Sequence, residues 1–380
     1  MKISHVISSI DSNSGGTTEY LRLLTNQLSG KIDNVIITDI CETPAEFNQK
    51  VTIESAKSKS SLLNVSNDIS NKMKLIECDL FHGNGLWQFP VHAMSKIALK
   101  KKIPYIISPH GMLDPWSLKQ GLFKKKIVLK LFQHRDIANA TCIHATAPME
   151  VNGIRKLGFK NPIAIIPNGI ELLEFSKEIP EKVNKPKKIL FLSRIHKQKG
   201  LENLIEAWGE IDANLRSGWC IEIIGNGELG FINLLKKKIH ALRLEEQIVI
   251  KEPVFGVKKI KYFREASIFV LPTFSESFGI VIGEALASYT PVITTKGTPW
   301  KDLEDYNCGW WIDIGVTPLK LALEDALNSK EKRLLDMGVN GRKLVEDKYS
   351  MDSVGKQMIE LYEWILKENT NKPKFVDIYE

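Results

Sequence analysis

The sequence lacks most of the features that mark a secreted, membrane-spanning or metal-bound protein. Its five cysteines stand at positions 41, 78, 142, 220 and 308 of 380 residues. Their number is odd, their spacing is wide and no Cys-x-x-Cys pair occurs, so neither a disulfide framework nor a zinc site is indicated. They read as small buried hydrophobes in a reducing compartment. No run approaches the roughly 18 continuous apolar residues that span a bilayer, and the apolar stretch in the first eleven residues is too short and interrupted for a signal peptide. No Asp-x-Asp sits at a strand end, and no histidines stand at metal-ligand spacing. Gly-x-Ser-x-Gly and Cys/His nucleophile frames are missing. So are Gly-x-Gly-x-x-Gly and Walker loops, which argues against NAD or ATP use. Basic and aromatic residues do not gather into a nucleic-acid module, and no internal repeat or low-complexity segment occurs.

What is present is an ordinary globular composition, 43% apolar and 26% charged, in a chain long enough for two cores. The net charge of +7 suits an enzyme that handles phosphates or works beside an anionic membrane. Segments 3–8, 34–40, 75–82, 104–109, 141–145 and 163–167 read as buried strands, with a helix over 18–28. Residues 177–188, rich in Lys, Glu and Pro, read as linker. The alternation then restarts, with strands over 188–192, 219–224, 248–251, 268–271 and 291–294. Helices are expected over 200–208, 232–242 and 278–288. The pattern predicts an α/β chain of two Rossmann-like, doubly wound halves, which bind ligands at the carboxyl ends of their strands. Helices follow over 318–328, with Thr317 as cap and Pro318 first, then over 330–348 and 350–367. The tail, 368–380, is expected to be loosely held.

Five constellations carry chemistry. In Glu276-Ser277-Phe278-Gly279-Ile280-Val281-Ile282-Gly283-Glu284 a polar loop runs from a strand into a helix start. Unpaired N–H groups there suit a diphosphate, and Glu276 and Glu284 could accept hydrogen bonds from sugar and ribose hydroxyls. From the residues alone, a cap glutamate and a solvated helix glutamate fit as well. Arg194 and Lys199 flank a strand-to-helix loop and could neutralise a diphosphate. Gly15 and Gly16 precede a helix and allow close approach to the backbone. His110, followed by Gly111, ends a strand. The turn containing Asn226 and Gly227 follows another.

The frame of two glutamates with seven residues between them resembles the signature of retaining GT-B glycosyltransferases. The chain is similar to glycosyltransferase family 4, and within it to bacterial enzymes of surface polysaccharide, O-antigen and capsule assembly. The resemblance implies a GT-B fold, two Rossmann-like domains facing across a cleft. Residues 1–175 would form the acceptor-side domain, 176–188 the linker, 189–350 the nucleotide-sugar domain, and 351–380 a helix crossing back plus the tail. It implies a metal-independent transferase, most simply a hexosyltransferase, using a UDP or GDP sugar and no cofactor. The acceptor would be a glycan or lipid-linked oligosaccharide, and attack would come on the face that the diphosphate leaves, with that diphosphate taking the acceptor proton.

By the same resemblance Arg194 and Lys199 bind the diphosphate, Gly15 and Gly16 touch the donor, and His110 lies beside the transferred sugar. Asn226 and Gly227 lie near the nucleotide, with the backbone at Val254 on the base. Asp114 and His82 are expected on the acceptor side. The basic amphipathic segment 118–132 reads equally as an anionic-membrane contact or a core helix with a solvated face. The expected location is the cytoplasm, or the inner face of the plasma membrane. Two other classes share these features: a GT-B sugar-nucleotide epimerase or a phosphorylase, and a non-catalytic membrane-associated scaffold. Retention of Arg194, Lys199, Glu276 and Glu284 together argues against the scaffold.

Overall fold

A computed structural model describes every residue except 13, 40, 57–66, 115–117, 119–127, 182–185, 368–370 and 380. Asn13, most of the basic segment 118–132 and part of the expected linker therefore lie outside the described residues. The chain forms two compact units, residues 1–169 with 351–380, and residues 170–350.

The first unit is built on an eight-stranded sheet. In chain order its strands are β1 (Lys2–Val6), β2 (Asp33–Thr38), β3 (Thr52–Ser55), β4 (Leu80–Asn84), β5 (Tyr105–Ser108), β6 (Cys142–Ala145) and β7 (Ile163–Ile165), and a terminal strand, Val376–Asp377, completes it. That last strand pairs antiparallel with β7, and the other seven run parallel, in the order β7-β6-β5-β4-β1-β2-β3. Both faces are covered, so β2 and β5 are almost wholly buried, polar residues included. On one face Tyr20, Leu24 and Leu28 of the Gly16–Leu28 helix pack against Val354, Met358, Leu361 and Tyr362 of the Met351–Ile365 helix. On the other lie Val91, Met94 and Ala98 of the Phe89–Lys101 helix.

The second unit carries six parallel strands: β8 (Lys187–Leu192), β9 (Trp219–Ile224), β10 (Ile248–Lys251), β11 (Ile268–Leu271), β12 (Val292–Thr295) and β13 (Gly309–Ile312). Their order is β10-β9-β8-β11-β12-β13. The strand order reverses between β8 and β11, so the loops leaving these two neighbours diverge and leave a crevice at their carboxyl ends. The β8 loop ends at Gly200, whose φ of +70° favours glycine. A Cβ there would sit 2.0 Å from the carbonyl oxygen of Pro272, the residue that follows β11. The two loops touch backbone to backbone.

Several sequence expectations are corrected. The strand expected over 75–82 is β4, which begins only at Leu80; Asn67–Leu75 is a helix, and its amphipathic pattern ends at an exposed Leu75. The helix expected from Phe278 begins at Ile280, because Gly279 takes a left-handed φ of +81° as its cap. Thr317 is not the cap of its helix: Val316–Leu327 starts after Gly315, and Pro318 stands third. The tail is not loose at Val376–Asp377, where Arg155 pairs with Asp377 at 2.6 Å and Ile165 N–H donates to the Phe375 carbonyl at 2.8 Å. The edge strands β3 and β13 are additions, short and bounded by polar segments.

Gly200→Ala is expected to destabilise the second unit by roughly 2–4 kcal/mol, through combined backbone strain and overlap with Pro272. Urea unfolding reads this as a lower midpoint; an unshifted midpoint would show that the loops part freely.

Candidate active site

In the second unit the predicted residues converge at the crevice. Arg194 and Lys199 stand on the loop after β8, where Lys197–Lys199 forms a turn of 3-10 helix. Glu276 stands on the loop after β11. Gln198 ties the two loops together: its carbonyl accepts from Phe274 N–H at 2.8 Å and from the Thr273 hydroxyl at 3.0 Å, and its side-chain amide donates to the Ser275 carbonyl at 2.9 Å. Glu276 N–H donates to the Gly297 carbonyl at 2.9 Å, adding the loop after β12. So held, the Glu276 carboxylate meets the Lys199 ammonium in an ion pair, with both side chains largely buried. Burial and then the neighbouring Arg194 charge push the Lys199 ammonium down to about 8. Arg194 is exposed and makes no ion pair among the described residues.

The rest of the motif follows from the helix start. Ser277 and Gly279 are half-buried, and Ile280 and Val281 form the first turn, whose N–H groups are the unpaired ones. Phe278 anchors this turn from below: its ring packs on Trp300 and Tyr349 at 5.1 and 5.7 Å, and its carbonyl accepts from Trp300 Nε1. Gly283 is required by Ile170, whose side chain would lie 2.7 Å from a Cβ. Glu284 is not a solvated helix glutamate. Its Oε1 takes a 2.5 Å ion pair from Lys259 of the Lys258–Glu265 helix, and its Oε2 is buried with no hydrogen-bond partner among the described residues. A buried carboxylate oxygen without a partner calls for a donor that the protein does not supply.

Asn226 and Gly227 are exposed after β9. The glycines of this turn serve the protein backbone: a Cβ on Gly225 or Gly227 would meet the carbonyl oxygen of Ser193 or Ile195 at 1.9 or 2.2 Å. Val254 follows β10 and is half-buried. Among the described residues no group of three or more His, Cys, Asp and Glu side chains could hold a metal.

In the first unit Gly15 and Gly16 follow β1, at the point where the order of this sheet also reverses. Gly15, with φ +96°, caps the Gly16–Leu28 helix, and a Cβ on either glycine would meet nothing within 4 Å. The backbone there is open to a ligand. His110 follows β5 with φ +51°, left-handed for a non-glycine residue, and Gly111 follows at +75°. Strain of this kind persists where the surroundings impose it. Here Gly111 N–H donates to Glu150 Oε1 at 2.7 Å, and the His110 ring packs edge-on against Tyr20 at 4.9 Å. Asp114 is half-buried, and burial with the charge of Glu150 raises it to about 7.

His82 is corrected. It lines no surface: it is fully buried, with Nδ1 on the Tyr362 hydroxyl at 2.8 Å and Nε2 on Ser108 Oγ at 2.7 Å. Ser108 also meets His144 Nδ1 at 2.7 Å, and His144 Nε2 meets the Ile166 carbonyl at 2.8 Å. Its small, apolar-flanked motif gave no sign that it packs among three other histidines. Burial, above all, holds His5 and His144 at about 4 and His110 at about 3, and pushes His82 well down, so all four are neutral near pH 7.

Two family models together cover most of the chain. The one described as "Glycosyl transferases group 1" matches residues 174–344, and the one described as "Glycosyltransferase Family 4" matches residues 14–173. The chain belongs to these glycosyltransferases. The Staphylococcus aureus capsular polysaccharide biosynthesis glycosyltransferase CapM is 28% identical over 231 residues, 58% of each chain. The chain spans about half the length of the curated relatives it matches. Sucrose-phosphate synthase from Thermosynechococcus elongatus shares the fold at a TM-score of 0.78 and 17% identity, over 97% of this chain and 100% of that one. Anabaena HepE in complex with UDP does so at 0.73 and 15%, over 96% and 100%. These likenesses show the GT-B fold.

For this glycosyltransferase, sequence reasoning missed Gln198, Lys259 and Asn84, whose Oδ1 lies 3.4 Å from His110 Nε2. Gln198 and Asn84 lay inside motifs singled out for their neighbours. Lys259 has no local signal, since a fold alone brings it to Glu284.

The neutral histidines make the first unit acid-labile. An unfolded chain protonates each histidine below about 6.5, whereas the folded unit resists until about 4. Their contribution is therefore complete above about 6.5 and is lost as the pH falls toward 4, by roughly 1.4 kcal/mol per pH unit for each group. Thermal unfolding followed from about pH 7 to about pH 4.5 should show a steep drop in Tm; a flat profile would contradict the burial of these rings.

Proposed function

We propose that this glycosyltransferase moves a hexose from a nucleoside-diphosphate sugar to a hydroxyl of a glycan or lipid-linked oligosaccharide in surface polysaccharide assembly, with retention of configuration and without a metal ion. The observation that carries the reading is the Lys199–Glu276 pair at the reversal between β8 and β11, next to a helix start and Arg194. It is the place in such a sheet where a diphosphate meets fixed positive charge and unpaired N–H groups. The name of CapM supports the polysaccharide setting, and the UDP bound by HepE supports a uridine nucleotide.

The chemistry follows from these groups. Arg194, Lys199 and the first-turn N–H groups take the diphosphate and the charge that grows on it as the C1–O bond breaks. Glu276, relieved of Lys199 by the incoming phosphate, accepts from sugar hydroxyls and positions the ring. The free Oε2 of Glu284 accepts from ribose. The acceptor oxygen bonds to C1 on the face that the diphosphate leaves, and its proton passes to a diphosphate oxygen. No side chain need form a covalent intermediate.

The acceptor side includes a membrane contact. Lys74, Lys96, Lys100 and Lys101 surround a groove of about 620 Å³ floored by Phe89, Ala93 and Ile97. Among the described residues no carboxylate lines it, and Leu75 and Leu99 stand exposed nearby. Lysines around bare aliphatic tips suit an anionic bilayer surface.

Calorimetry against UDP, GDP and their sugars should find a donor whose affinity falls as the pH rises through about 8, where Lys199 loses its charge; Lys199→Arg, charged throughout, should abolish that fall. Glu276→Ala is expected to lower transfer from the best donor by about 100-fold or more. Binding of no nucleotide, or full transfer by Glu276→Ala, would defeat the proposal. Flotation with acidic-lipid vesicles should weaken when Lys96 and Lys100 become Gln; equal flotation would remove this groove from the contact.

A further inference from the structure

Glu284 is the one charged residue of the Ile280–Ala287 helix, whose other residues are apolar or glycine. A charge in such a setting is costly unless it is paired. Its partner comes from the Lys258–Glu265 helix, which is braced along its length. At the start, Lys259 N–H donates to the Gly256 carbonyl at 3.1 Å, in a turn where Gly256 takes a φ of +60°. Further on, the fully buried Phe263 meets Phe269 of β11 with ring centroids 5.5 Å apart, and its carbonyl accepts from the Thr290 hydroxyl at 2.6 Å. At the end, Arg264 donates to the Glu178 carbonyl at 3.0 Å. Lys259 is thus carried on a fixed element, and in its pair with Glu284 the two side chains are only 23% and 15% exposed.

The pair divides the carboxylate. Oε1 takes the Lys259 ammonium at 2.5 Å, and Oε2 is buried and bonded to nothing among the described residues. A surface ion pair leaves its second oxygen to solvent and fixes little. Here the second oxygen is shut from solvent and has no donor, so the two oxygens of one carboxylate differ before a ligand arrives. A ribose presents two neighbouring hydroxyls. A free carboxylate can meet such a diol with both oxygens, one for each hydroxyl. A carboxylate with one oxygen already given to an ammonium has the other to offer.

We propose that Lys259 is a positioning residue that pins Glu284 by Oε1, so that Oε2 alone receives the ribose and the donor is recognised through one hydroxyl of its vicinal diol, not both. The inference rests on the proposed donor, a ribonucleoside-diphosphate sugar whose ribose meets Glu284, and it adds how that contact is made and which residue sets it. Lys259 and Glu284 both belong to the second unit, residues 170–350. A nucleotide without the recognised hydroxyl leaves Oε2 buried and unpaired, which is expensive, whereas a nucleotide without the other hydroxyl leaves the contact intact.

Calorimetry on the full chain with UDP or GDP, whichever binds, and with its 2′-deoxy and 3′-deoxy forms reads this directly. In the wild type one deoxy form should bind at least about tenfold more weakly than the parent nucleotide, and the other within about threefold of it. Lys259→Met and Lys259→Ala free the carboxylate to take both hydroxyls, so in these variants the two deoxy forms should come within about threefold of each other. Lys259→Arg keeps the charge and the donor and should preserve the gap. A lysine with a merely structural role would weaken all three ligands alike and leave the gap as it was. An unchanged thermal midpoint reports an intact fold in each variant. An equal loss for the two deoxy forms in the wild type, or an undiminished gap in a folded Lys259→Met or Lys259→Ala, overturns the role of Lys259. Binding of the parent with no loss for either deoxy form overturns the ribose contact and leaves the donor reading in place. Binding of neither UDP nor GDP overturns both.

Discussion

The second unit depends on the backbone contact between Gly200 and Pro272. Parallel strands that leave a sheet in opposite directions normally carry their loops apart. Here a missing side chain lets the two loops touch, and Gln198 laces them together with three hydrogen bonds. Only on that footing can a lysine from one loop and a glutamate from the other meet with little solvent between them. The aromatic packing of Phe278, Trp300 and Tyr349 does the same for the helix start, fixing its N–H groups from behind. The site is thus a set of charges on a braced backbone, suited to a ligand whose own charge grows during the reaction.

The first unit solves a different problem with different chemistry. Its polar core is a chain of neutral donors and acceptors, and the rings of His5, His82, His110 and His144 make no ion pair among the described residues. Such a chain stays satisfied only while every member keeps its protonation state. It ties the returning Met351–Ile365 helix, through Tyr362, to the strand end that precedes His110. The left-handed His110-Gly111 corner is held from both sides, by this network and by Glu150.

Much of this was legible in the sequence, for a physical reason. Strands buried on both faces appear as apolar runs, and loops at their carboxyl ends carry the polar residues, so Arg194, Lys199, Glu276 and His110 could be placed at strand ends from pattern alone. The two-glutamate frame, with the family resemblance, gave the architecture. What pattern did not show was pairing between distant segments. Lys259 reaches Glu284, Asn84 faces His110 and Tyr362 caps His82 only once the sheets have formed. His82 looked like a strand-end group because its neighbours do; burial among other histidines is a property of four elements at once. Edge strands β3 and β13 escaped because a short strand that is half wet has no strong period.

The first unit is also split along the chain. Its core is closed by residues 351–380, which follow the first segment only after the 181 residues of 170–350. Tyr20, Leu24 and Leu28 have their packing partners on the Met351–Ile365 helix, and β7 gains its outer neighbour from Val376–Asp377. During synthesis the leading segment emerges with an apolar helix face uncovered and a sheet edge open, and it stays so until the whole second unit has left the ribosome. The order of maturation is therefore the reverse of the order of translation: the unit that starts first is finished last, and its histidine relay is the last polar network to close.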